Sequence, residues 1–139
     1  MKTVLVILLS ILFTAIAVEV KESSIFDNLS NMRTMLEGTD VLFYNINNAT
    51  TWRRKLVNGE QQIARHCSLI TNKDNCGKWT DTEGNVLENA GSYMINSNGN
   101  LSVWKATKAD SGVYISPENK PLTDDAWTKD AKGLKIRGY

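Results

Sequence analysis

The chain has 139 residues, with 16 Lys and Arg against 15 Asp and Glu and a formal net charge of +1. So even a balance offers nothing to draw in nucleic acid or an anionic membrane. With one histidine, His66, no G-x-S-x-G elbow and no phosphate-cradling glycine loop, no enzyme, cofactor or metal site is expected.

Lys2 precedes an apolar run from Val4 to Ala17, and Ala15-Ile16-Ala17 supplies a small-x-small cleavage signal just before Glu19. This is the pattern of a secretory signal peptide over residues 1–17. The run falls short of the roughly 20 residues that a membrane span needs, and no later segment is apolar enough to replace it. Residues 18–139 are then expected to form one secreted, extracellular domain, large enough for a single core.

Within 18–36 the reading stays open, since Asn28 to Leu36 fits either a strand or a helical turn. Gly38 to Asn45 reads as a strand with Val41 and Phe43 inward, and Thr50 to Arg54 as one that places Trp52 at the centre. Gln62 to Ile70 and Gly77 to Thr80 read as the arms of a hairpin, and Asp81 to Asn85 turns the chain. Ser92 to Ile95 is the next strand. Asn96-Ser97-Asn98-Gly99-Asn100 is a tight turn, because Asn-Gly readily takes positive φ. Leu101 to Ala106, Val113 to Ser116 and Leu134 to Arg137 complete the set. Short alternating segments between turn signals, without a 3.6-residue period, mark an all-β chain.

Leu101, Val103 and Ala106 lead into Asp110-Ser111-Gly112-Val113-Tyr114. This combination resembles the corner between strands E and F of an immunoglobulin domain. The resemblance runs from about Met35 to Tyr139 and implies an immunoglobulin-like antiparallel β-sandwich. Tyr114 would then pack in the core with its hydroxyl bonded back to the corner, and Trp52 would fill the centre. The family's inter-sheet disulfide is absent, since Ser116 and Asn45 occupy its positions. Asn89 to Asn100 holds no basic residue to pair with Asp110, so that carboxylate is expected to cap the corner through the N–H of Gly112 or a neighbour. In general appearance the chain is also similar to small nematode-type secreted proteins.

Cys67 and Cys76 are the only cysteines, and behind a secretory leader they read as one disulfide across the hairpin. Asn28, Asn48 and Asn100 each open an N-x-S/T sequon and are candidate glycosylation sites. Trp79 is expected to cover the staple. Trp127, in the polar loop Asp124 to Lys129, is either a partner contact or a lid over the sandwich end. Trp104 points outward by strand alternation and is the second contact candidate; a glycan on Asn100 or the N-terminal segment would cover it. Arg53 and Lys55 are expected on a solvated face.

These readings converge on a secreted immunoglobulin-like module that binds an extracellular protein or glycan and does no chemistry. The alternative is a small β-barrel carrier of an apolar ligand, whose cavity Trp52 and Tyr114 would fill. A secreted inhibitor or defence effector is a further form of binding that these residues do not separate.

Overall fold

The computed structural model describes residues 25–26, 29, 31–44, 48–117, 123, 126–127 and 130–138. Its strands are β1 (Met32–Leu36), β2 (Val41–Phe43), β3 (Thr51–Leu56), β4 (Gln61–Arg65), β5 (Tyr93–Ile95), β6 (Leu101–Val103), β7 (Gly112–Ile115) and β8 (Lys132–Arg137). They form a five-stranded sheet, β1-β8-β7-β3-β4, and a three-stranded sheet, β2-β6-β5. All pairings are antiparallel except β1 with β8.

Period-two burial explains how the sheets meet. Val41 and Phe43, Leu101 and Val103, and Tyr93 and Ile95 send their side chains inward from the smaller sheet, against Trp52, Tyr114 and Leu134 of the larger. Phe43 stacks on Tyr114 with ring centroids 4.5 Å apart, and Trp52 lies 6.0 Å from Phe43. The Trp52 indole N–H donates to the Gly99 carbonyl at 2.8 Å, so its one polar atom is satisfied within the core. The two sheets stay separate and their interior is filled with aromatic rings, which removes the β-barrel carrier reading.

Strand order places the chain in the immunoglobulin-like class. The β3-β7-β8 strands take the C, F and G positions, and β2-β6-β5 take B, E and D. Of the segment left open between helix and strand, Met32–Leu36 is a strand, β1, on the edge beside β8.

Three expected elements differ in length or kind. The strand expected over Gln62 to Ile70 stops at Arg65, because the His66 ring accepts from Ser68 N–H and the Asn72 side chain accepts from Asp74 N–H, each starting a short 3₁₀ turn. The Cys67–Cys76 bond therefore ties two turns together, and only Thr80 of the second arm pairs back, with Ile63. The strand expected to reach Ala106 ends at Val103, where the chain bends through Lys105 at φ 47°. Asn45 and residues 1–17 lie outside the described residues.

Candidate functional site

The corner holds a buried polar network. The Tyr114 hydroxyl donates to the Asp110 carbonyl at 2.5 Å, and the Asp110 carboxylate accepts from Thr107 N–H at 2.9 Å. Its other oxygen receives Arg54 Nη1 at 2.8 Å, and the same guanidinium nitrogen reaches the Tyr114 hydroxyl at 3.0 Å. Gln62 Oε1 accepts from Arg54 Nε and Nη2, and the Ala90 carbonyl accepts a further bond. Arg54 is 1% exposed and lies 3.8 Å from the centre of the Trp79 ring. Burial pushes the Tyr114 hydroxyl up to about 12, against the pull of Arg54.

Two expectations are corrected here. Asp110 has a cationic partner after all, supplied by β3 and not by the strand before the turn; it also caps the corner as expected, with the nearby Thr107 N–H as donor. Trp79 does not cover the staple: it is fully buried, edge-on to Tyr93 and Tyr114. Arg54 went unassigned in the sequence reading, although alternation from the inward Trp52 puts it on the same inward face. Gly112 is needed for closeness: a Cβ there would stand 2.3 Å from the Lys55 carbonyl oxygen.

The outer faces of the two sheets differ sharply. On the five-stranded sheet, Val113 and Ile115 are buried beneath Trp127 and Ala131, with Ile25, Phe26 and Leu29 packed alongside. Trp127 is 6% exposed and carries Lys55 Nζ 4.8 Å from its ring centre. It is therefore a lid of the fold, which overturns it as a partner contact. The reason is local: a helical turn at 126–127 swings the indole onto the hydrophobic residues that β7 turns outward.

On the three-stranded sheet, Leu42, Ser102 and Met94 lie side by side in register and face outward. Tyr44 and Trp104 extend this face. Tyr44 is 66% exposed, Met94 53% and Trp104 50%. The described part of the N-terminal segment packs on the opposite sheet, so it does not cover Trp104. Asn100 sits at the start of β6, partly buried, two same-face positions from Trp104. Asn48 is exposed in the left-handed conformation at φ 50°, which Asn tolerates. Asn28 lies outside the described residues.

His66 and Ser68 meet at 2.8 Å, an exposed contact that closes the turn after β4. Among the described residues no three His, Cys, Asp or Glu side chains gather where they could hold a metal ion, and no helix is long and apolar enough to cross a membrane.

No protein-family model matches the chain, and no curated protein does. Among solved structures it is similar to a chicken TCR at 14% identity and TM-score 0.40, over 79% of this chain and 54% of that one. A marsupial T cell receptor matches at 10% identity and TM-score 0.41, over 76% and 48% of the two chains. The extracellular fragment of novel immune-type receptor 10 from Ictalurus punctatus matches at 15% and 0.41, over 77% and 95%. The chain thus spans about half the length of the first of these. Its class rests on its own strand order and its tyrosine corner.

Proposed function

We propose that the mature chain, residues 18–139, is a secreted binding module that engages an extracellular protein through the outer face of its three-stranded sheet and does no chemistry. The observation that carries this reading is the contrast between the two faces. One is covered by the chain's own Trp127, Phe26 and Leu29, while the other leaves Tyr44, Met94 and Trp104 at least half exposed. Exposed aromatic and methionine side chains grouped on a rigid sheet have the composition that interface cores favour. The leader over 1–17 would carry the chain to a compartment where the Cys67–Cys76 bond persists. Inhibition of an extracellular enzyme or a defence role would use the same kind of contact.

The test is affinity capture from extracellular fluid with the mature domain as bait, beside a Met94→Asp, Trp104→Asp double variant. A partner held by the wild type and lost by the variant supports the reading. Equal retention by both places binding elsewhere and sinks it. Secretion is checked by N-terminal sequencing of protein from the medium, which is expected to start at Val18.

A further inference from the structure

The segment tied by the disulfide lines one side of an open cavity of about 310 Å³ against β4. Its floor is Ile63, with Ile70 and Val86 as apolar walls, and Leu69, 54% exposed, stands at the lip. The walls are held before any ligand arrives. Ile63 and Thr80 exchange backbone bonds at 2.8 and 3.0 Å, Thr80 bridges to Val86, and Cys67 is bonded to Cys76. Tyr93 locks the base, its hydroxyl donating to the Arg65 carbonyl and accepting from the Arg65 N–H, both at 2.9 Å.

Charge gives this cavity its chemistry. Two cations come to this wall: Arg65, on the same face of β4 as Ile63, and Lys78, two residues before the Thr80 that bridges Ile63. Both line the cavity. Lys78 reaches Glu88 at 3.4 Å in an exposed contact, and neither ion pair among the described residues, Arg54 with Asp110 or Lys78 with Glu88, involves Arg65. The acid nearest Lys78 in sequence, Asp81, is turned to its own loop, where it accepts from Asn85 and from Glu83 N–H.

We propose that this cavity binds a small amphipathic anion, of the medium-chain carboxylate class. The hydrocarbon would lie over Ile63, Ile70 and Val86, and the carboxylate would be held by the two cations that line the same cavity, Arg65 and Lys78. The volume is at the small end of ligand sites, which limits the occupant to a chain of no more than medium length. This site is independent of the protein-binding face.

The experiment is an NMR titration of the ¹⁵N-labelled mature domain with sodium octanoate, octan-1-ol or octyltrimethylammonium. Octanoate is expected to shift the amides of Ile63, Ile70 and Gly84 together. Arg65→Ala with Lys78→Ala, both at exposed or partly exposed positions, should weaken it about tenfold, and Val86→Trp should block it by filling the space. The Met94→Asp, Trp104→Asp variant should bind octanoate like the wild type. Shifts that are absent or scattered over the surface overturn the site. Equal binding of the alcohol or the cation, or full affinity in the double alanine variant, overturns the anionic ligand.

Discussion

Arg54 and Asp110, 56 residues apart in the chain, meet at 2.8 Å inside the sandwich with side chains 1% and 8% exposed. Each satisfies the other where no water reaches, and Gln62, Ala90, Thr107 and Tyr114 take up the remaining donors and acceptors. Such a pair is costly to break because the remaining charge is left buried and alone. Arg54→Met and Asp110→Ala should each lose about 3–5 kcal/mol in urea melts. Together they should lose less than the sum, since neither charge is then orphaned. Strict additivity would mean that the two side chains do not act as a pair.

Tyr114→Phe removes a hydroxyl that both donates to Asp110 and accepts from Arg54, in a fully buried place. A loss of about 1–3 kcal/mol is expected. The same hydroxyl sets an alkaline limit. Its folded value, near 12, lies above the ordinary 10, so above pH 10 the unfolded chain releases a proton that the folded chain keeps. Stability is therefore complete below pH 10 and falls as pH rises from 10 towards 12. Melts across that window should decline for the wild type and decline less for Tyr114→Phe; equal slopes would remove Tyr114 as the cause.

At Gly112 the prediction concerns space between strands. Any Cβ would press on the Lys55 carbonyl oxygen and on Leu56 Cα, both backbone atoms that cannot swing aside. Gly112→Ala should cost about 1–3 kcal/mol by forcing β3 and β7 apart. A wild-type urea midpoint would show that the strands part freely there.

The disulfide is open to a chemical check. Unreduced peptide mapping of protein secreted by a eukaryotic host should join the Cys67 and Cys76 peptides within one chain. Free thiols at both, or a bond between two chains, would contradict the pairing seen in the structure.

Strand alternation made much of this molecule legible from sequence. Leu101 with Val103 and the D-x-G-x-Y run fixed which residues face the core, and turn chemistry at Asn96 to Gly99 located the hairpin. What alternation could not show was the use of an inward charge. Arg54 falls on the inward face of its strand with Trp52, but alternation alone names no partner for its charge; only the tertiary fold brings Asp110, Gln62 and the Trp79 ring around it. Trp127 was obscured for the same reason, because the residues it covers, Val113 and Ile115, lie on another strand. Side-chain caps at His66 and Asn72 ended a strand whose apolar pattern alone would have continued to Ile70.

Trp104 brings alternation and modification onto one surface. It is half exposed on the same face as Met94, and Asn100, which the register sets opposite Tyr44, lies roughly 13 Å back along the chain, from about 3.3 Å per residue. A glycan carried by the Asn100 sequon would lie along this row and could stack a sugar on the indole face, limiting self-association until a partner displaces it. Asn100→Gln, made in a secreting eukaryotic host, should then red-shift the tryptophan emission and raise self-association in sedimentation. Trp104→Thr added to it should reverse the association. If Asn100→Gln matches the wild type in both emission and association, the glycan does not shield Trp104, and the open face is limited by something other than sugar.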